Sequence, residues 1–371
     1  MRKSTAGIIA SYPMLKKALH FFHSTTKNLP PKSRKKLFIH AGMFKTGTSF
    51  FQQTIYSNKN VLEEAGILYP STGLGLGTGH NEYAHRLLGI NLTSGKSNDF
   101  PQITQELVSR SDISKGLISY EGFCHPNTVS ALLAIKECLN PIELHGILVF
   151  RPHLDHAFSV YREACQHLSF CGSLVNIIQT PSDPFENHWH ATLKYRDIVT
   201  AWQKLVGNKQ LQLFAFEEIK HDLLQTLLKA VAASGTGVTP NNQHRNPSLS
   251  APCAELMRRV NTTELKAVLR HQIAYRLHRV DTALPHLADY CELPLEDVQK
   301  YEDLFRQDRL FLQEQGFDEA HLKVGAKWKW GFKTGIDTAV EEALETFHLQ
   351  LAKEGRMDLS NLVHTANCGT L

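Results

Sequence analysis

Residues Leu37-Phe-Ile-His-Ala-Gly-Met-Phe-Lys-Thr-Gly-Thr-Ser49 constrain the fold of this chain more than any other stretch. Four residues that suit a buried strand run into a glycine turn, and the turn runs into a helical pattern. That order, strand then glycine loop then helix, turns backbone N–H groups at a helix start toward one point and makes a cradle for an anion. Gly42 and Gly47 keep the G-x-x-x-x-G frame of a nucleotide-binding loop, but Thr48 follows where the common loop has lysine. The lysine has moved inside the loop, to Lys45. A loop that keeps its cradle and relocates its cation points to a nucleotide other than ATP or GTP.

Downstream, short apolar runs recur at Leu37–His40, Ile67–Tyr69, Leu117–Tyr120, Gly146–Phe150 and Leu211–Phe216. Their length and lack of alternation suit strands covered on both faces. Helical patterns separate them, over Ser49–Asn58, Ile103–Ser109, Thr128–Cys138, His153–His167 and Leu193–Val206. The alternation predicts an α/β fold of three layers, α/β/α. Its central sheet is mainly parallel, with the phosphate-binding loop after the first strand. A final amphipathic helix is marked by Val340, Leu344, Phe347 and Leu351, and the pattern predicts that it packs on a core. The expected division is a leader helix and basic linker over 1–35, a main domain over 36–315 and a helical C-terminal extension over 316–371.

A second constellation lies at Gly146-Ile-Leu-Val-Phe-Arg151, followed by Ser159. An arginine at a strand end offers a bidentate fork, and a serine in the second turn of the next helix adds a directed hydroxyl. Together they suit a terminal phosphate.

The Lys45-Thr-Gly-Thr-Ser49 loop and the Arg151/Ser159 pair, in this order, resemble the phosphate-binding motifs of sulfotransferases that use 3′-phosphoadenosine-5′-phosphosulfate (PAPS). The bacterial carbohydrate-type group is the nearest in spelling. Glu64-Ala-Gly-Ile-Leu-Tyr-Pro70 with His80, Leu117-Ile-Ser-Tyr-Glu121, the pair Tyr195 and Trp202, and Asn246-Pro-Ser-Leu-Ser250 extend the likeness over about residues 36 to 315. The resemblance implies a transferase that moves the sulfuryl group of PAPS to a carbohydrate or glycoconjugate hydroxyl and releases adenosine 3′,5′-bisphosphate, with no metal required. It implies that Lys45, Thr46, Gly47, Thr48 and Ser49 hold the 5′-phosphosulfate, that Arg151 and Ser159 hold the 3′-phosphate, and that Ser248 returns toward the cofactor. Lys45 is then the catalytic cation, and Glu121 or His80 removes the acceptor's proton. Glu121 is favoured by its place at a strand's carboxyl end, although it could instead serve only to cap the helix near Asn127.

Other features are read more plainly. The loops Gly73–Asn98 and Glu163–His190 are expected to wall the acceptor site. Gly73-Leu-Gly-Leu-Gly-Thr-Gly79 lacks Rossmann spacing and is expected to be a mobile acceptor loop. His153/His156 and His188/His190 have no cysteine or carboxylate cluster beside them, so a metal site is not expected. Trp328 and Trp330 suit a hydrophobic plug better than a sugar platform. Seven cysteines without paired spacing argue against a disulfide framework, and Cys165 and Cys171 are expected as thiols.

A net charge of +4 is too small to imply a nucleic-acid partner. No run approaches the ~20 apolar residues of a membrane span, and the short apolar stretch Ala6–Ala10 reads as part of a peripheral leader rather than an export signal. These readings predict a cytoplasmic protein, at most peripheral to a membrane, and leave its oligomeric state open. The basic stretch Lys27–Lys36 reads as a solvated linker. Two rival readings remain: an ATP- and magnesium-dependent phosphotransferase, with Gly116–Glu121 as a degenerate metal-binding strand, and a catalytically silent nucleotide-binding protein of the same fold.

Overall fold

The computed structural model describes residues 34–75, 82–94, 99–139, 142–179, 181–241, 248–263, 265–291, 293–323 and 336–368. The chain opens with β1 (Lys36–His40), helices α1 (Thr48–Ser57) and α2 (Lys59–Glu64), and the short β2 (Ile67–Leu68). Helices α3 (Arg86–Thr93) and α4 (Asp99–Ser109) lead to β3 (Lys115–Ser119), a single turn Glu121–Cys124, α5 (Pro126–Ile135) and β4 (Glu143–Phe150). Then come α6 (His153–His167), α7 (Leu174–Ile178), α8 (Pro184–Ala191), α9 (Tyr195–Val206) and β5 (Leu211–Ala215), followed by α10 (Phe216–Ile219) and α11 (Leu223–Ala230). The remainder is helical, with α12 (Ala251–Asn261), α13 (Ala267–Ala283), α14 (Leu295–Leu304), α15 (Arg306–Glu314), α16 (Ile336–Lys353) and α17 (Met357–Cys368).

Two compact units share this chain, Met1–Arg151 with Lys194–Arg245, and Pro152–Leu193 with Asn246–Leu371. The first is an α/β unit around a five-stranded sheet in the order β2-β3-β1-β4-β5, parallel throughout. Every apolar run expected as a strand is one. β1 lies in the middle because both of its faces are buried, with Leu37 and Ile39 fully covered on one face and Phe38 and His40 nearly so on the other. From β1 the chain first builds one side of the sheet, then crosses to β4 and β5 on the other. The strand order therefore reverses beside β1, and ligands of open parallel sheets collect at the carboxyl ends of such strands.

One face of the sheet carries a core in which Phe51 and Ile55 of α1 and Leu223 and Leu227 of α11 pack with Phe38, Leu117, Ile147 and Val149. On the other side α9 packs against α5 and β4, with Tyr195 and Trp202 fully buried. At the margin of the sheet, the Lys35 ammonium donates to the carbonyl oxygens of Leu107 and Ile113, each at 2.8 Å, and to that of Arg110. This corrects the reading of Lys27–Lys36 as wholly solvated: Lys35 is consumed by carbonyls left over where α4 ends.

The second unit is all helical among its described residues. Leu256, Met257 and Val260 of α12, Ile273 and Leu277 of α13, and Val340, Leu344, Phe347 and Leu351 of α16 meet in one core with Leu359 and Val363 of α17. The amphipathic stripe of the last long helix is thus packed, as its spacing predicts. Ser250 caps α12 by accepting from Cys253 N, and its own N–H and hydroxyl donate to the Asp281 carboxylate at 2.8 and 2.5 Å.

The stretch Glu163–His190, expected as a loop, is largely helical. Ser173 caps α7, and Asp183 caps α8 by accepting from Glu186 N at 2.8 Å, with Pro184 in the first turn. Asp183-Pro-Phe-Glu186 spells a helix start that the sequence reading passed over. Arg86–Thr93 likewise places a helix inside the expected loop Gly73–Asn98. The expected leader helix, Trp328 and Trp330 lie outside the described residues, as does most of the Gly73–Gly79 run. Cys165 and Cys171 are thiols, in no disulfide.

Candidate functional site

The phosphate-type loop begins as an extension of the sheet. Ala41 N donates to Ile147 O at 2.9 Å and Met43 N to Val149 O at 3.1 Å, so the first half of the loop is pinned to β4. The second half is knotted onto one carbonyl. Thr46 Oγ donates to Met43 O at 2.6 Å and Thr48 Oγ to the same oxygen at 3.3 Å. These two hydroxyls hold the loop's shape in this structure, while Ser49 stays exposed.

Two residues of the turn are left-handed, Lys45 at φ 65° and Gly47 at φ 75°. For lysine this conformation costs roughly 1 kcal/mol or more, a strain that surrounding contacts must offset. At Gly47 a side chain would be strained by the positive φ, and its Cβ would come within 2.4 Å of Leu223 Cδ2, which would have to shift. At Gly42 a Cβ would stand 2.9 Å from His40 Nε2 and 3.1 Å from Thr48 Oγ1, so the glycine lets the loop lie directly on the strand end. α1 starts at Thr48 with no side-chain cap from Gly47 and no acidic residue in its first turn. Neither a cap side chain nor a first-turn carboxylate offsets the positive end of this helix.

Arg151, the first residue after β4, braces the turn. Its Nη1 donates to Lys45 O at 3.1 Å, and its guanidinium carbon lies 5.6 Å from the centre of the Phe216 ring at the start of α10. The Tyr195 hydroxyl donates to the Arg151 carbonyl at 3.0 Å, tying the same residue to α9. The chain thus brings together the two cations singled out from sequence, Lys45 and Arg151, where β1 and β4 end side by side.

Beneath the loop runs a buried polar chain that sequence reading missed. His85 Nε2 lies 3.1 Å from Pro70 O, which only a protonated nitrogen can satisfy, so His85 Nδ1 accepts from Ser119 N at 3.2 Å. Ser119 Oγ in turn lies 2.8 Å from His40 Nδ1. His40 Nε2 has no hydrogen-bond partner among the described residues. Burial lowers the pKa of both imidazoles to about 3, so they stay neutral at ordinary pH.

Glu121 opens the turn after β3 and is only 8% exposed. Gln52 Nε2, on α1, donates to Glu121 Oε2 at 3.1 Å. Around this carboxylate, burial and then its negative charge raise the pKa values of Tyr69, Tyr83, Tyr120 and Cys124, that of Tyr120 to about 12. Glu121 does not cap α5. His125 does, accepting from Asn127 N at 3.3 Å. His80, the other candidate base, lies outside the described residues. Ser159 sits half-buried in the second turn of α6, and Ser248 half-buried just before α12.

No family model matches this chain, and no curated protein matches it. Among solved structures it is similar to the crystal structure of a sulfotransferase from Alicyclobacillus acidocaldarius, at 13% identity and a TM-score of 0.38, over 80% of this chain and 99% of that one. A likeness this distant does not carry chemistry from one site to the other.

The residues missed from sequence had one local signal. Gln52 follows Thr48 by one helical turn and so shares its face. Gln52 is fully buried although α1's buried face is otherwise a packing surface for Phe51 and Ile55. Among the described residues no helix is long and apolar enough to cross a membrane, and no cluster of three metal-ligating side chains occurs.

Proposed function

We propose that this protein is a sulfotransferase that takes the sulfuryl group of PAPS to a hydroxyl of a carbohydrate or glycoconjugate. The observation that carries the reading is the loop itself. Its lysine stands inside a left-handed turn at the positive end of α1, braced by Arg151 from the neighbouring strand. A γ-phosphate loop needs its lysine after the last glycine, where this chain has Thr48.

PAPS, when bound, supplies the sulfuryl group and a phosphate as its leaving group. The cradle fits such an anion: α1 brings an uncapped N-terminus, Lys45 a cation, and Gly42 and Gly47 the close approach of backbone. The loop N–H groups with Thr46, Gly47, Thr48 and Ser49 would hold the 5′-phosphosulfate. Lys45 would neutralise charge that grows on the bridging oxygen as the S–O bond breaks. Arg151, whose planar guanidinium forks toward a phosphate as readily as toward a carboxylate, would meet the 3′-phosphate. Glu121 would accept the proton of the acceptor hydroxyl as its oxygen bonds to sulfur and the electron pair of the broken bond passes to the departing phosphate. His80 is the alternative base.

Thermal shift tests this reading directly. Adenosine 3′,5′-bisphosphate is expected to stabilise the protein more than 5′-AMP, because only the former offers Arg151 a second phosphate. At ~100 times the dissociation constant the gain is about 2.7 kcal/mol. Equal stabilisation by the two nucleotides, or preferential stabilisation by ATP with magnesium, would count against it and favour the phosphotransferase.

A further inference from the structure

We propose that Gln52 is the positioning residue for the Glu121 carboxylate, which makes α1 the single rigid element that sets both the phosphate loop and the proposed base. For its effect on turnover this inference rests on the sulfotransferase reading. The hydrogen bond itself does not.

The geometry argues this in three steps. Thr48 and Gln52 are one turn apart and lie on the same face of α1. The first is bonded into the loop through Met43 O, and the second donates to Glu121 Oε2 at 3.1 Å across 69 residues of sequence. Second, Gln52 is fully buried and its Oε1 has no hydrogen-bond partner among the described residues. Leucine or methionine would fill that volume without leaving an oxygen unpaired, so packing does not explain the amide. Its donor does. Third, a donor to a carboxylate stabilises the charged form, and a base must be charged to accept a proton.

The titratable groups that face Glu121 come from several elements. Tyr69 follows β2, Tyr83 precedes α3, Tyr120 follows β3 and Cys124 lies in the same turn as Glu121, and raised pKa values keep all four neutral. Arg86 of α3 lies by Tyr120, and His125 is engaged at the start of α5. His40 of β1 is held neutral by burial.

The test is a pH titration of the full chain labelled with [5-¹³C]glutamate, the Glu121 carboxyl signal being assigned by its loss in Glu121→Gln. In Gln52→Leu the Glu121 midpoint is expected to rise by about one pH unit, since the charged form loses the Gln52 donor. In Gln52→Glu, close in shape, it is expected to rise further, because two carboxylates then share one space. A midpoint that stays within about 0.3 unit of wild type in either folded variant overturns the proposal, and if Gln52→Leu does not fold, Gln52→Glu decides.

Transfer from [³⁵S]PAPS to a panel of p-nitrophenyl glycosides separates this inference from the functional reading. The acid limb of kcat/KM is expected to move with the NMR midpoint while the KM for PAPS holds. A merely structural glutamine would lower thermal stability without moving either. A wild-type enzyme that transfers sulfate but whose acid limb ignores Gln52 overturns the positioning role alone. A wild-type enzyme that transfers nothing, with the NMR midpoint moving as expected, overturns the functional reading and leaves the Gln52–Glu121 pairing standing.

Discussion

The underside of the phosphate loop and the core of the helical unit are equally buried and chemically opposite. Leu256, Ile273, Leu277, Val340, Phe347 and Leu351 meet with no polar side chain required among them. Beneath the loop stand His40, His85, Ser119, Gln52 and Glu121, in a space of the same dryness. The apolar core gains free energy from every atom removed from water. The polar one must pair each group it buries, and His40 Nε2 and Gln52 Oε1 have no hydrogen-bond partner among the described residues. A buried region built this way holds groups at fixed places and protonation states, at a cost in stability.

Three perturbations can break or sharpen that contrast. The largest effect is expected from Phe347→Ala in the apolar core, a loss of about 3–5 kcal/mol in urea unfolding from a cavity that α12 and α13 cannot fill. A loss under ~1 kcal/mol would mean that this core is far more plastic than its burial implies.

Next comes Lys45→Ala in the loop. Turnover is expected to fall by about two to three orders of magnitude, equivalent to roughly 3–4 kcal/mol, while adenosine 3′,5′-bisphosphate binding measured by calorimetry changes much less. Near-normal turnover would remove Lys45 from the mechanism. Unlike Phe347→Ala, this change should leave the unfolding midpoint nearly where it was, because alanine keeps a similar conformational strain at this left-handed position.

The smallest effect, counted per residue and per pH unit, is set by pH. His40 and His85 are neutral in the fold down to about pH 3 and titrate near 6.5 once unfolded. Because the folded pKa is depressed, the unfolded chain binds the extra protons, so stability is full above about pH 6.5 and drains away as pH falls toward 3. Each histidine should contribute a slope of about 1.4 kcal/mol per pH unit in that window, or roughly 2 kcal/mol between pH 7 and 5. His40→Gln should flatten the slope by one proton's worth. An unchanged slope would show that His40 is not the group taking up the proton.

The layout of the sheet unit was legible because it is written locally. Five apolar runs, helical patterns between them and the glycine frame of the loop are all short-range signals, and each strand appears at its run. The polar ground beneath the loop was not legible, because its partners come from distant points. His40 and Ser119 are 79 residues apart, and Gln52 and Glu121 are 69. Periodicity read His40 as the end of an apolar strand and Gln52 as one more position of a helix. Glu121 was found by its place after a strand, yet its capping alternative went to His125, four residues on, where Pro126 starts the helix. Lys35 shows the same limit: a basic residue beside prolines looks like a linker until the carbonyls of a helix some 70 residues away reach it.

The interlacing of the two units bears on how the chain is made. Residues 152–193 of the helical unit leave the ribosome before β5, which pairs in parallel with β4 from Gly146↔Leu211 to Phe150↔Ala215. The sheet therefore has no fifth strand until that helical segment has already emerged, and the segment must wait through 194–245 for α12, α13 and α16. Neither unit can finish folding as a single uninterrupted stretch during synthesis. No one cut of the gene yields either unit whole. A nascent chain arrested near residue 200 exposes the β4 edge that β5 later covers.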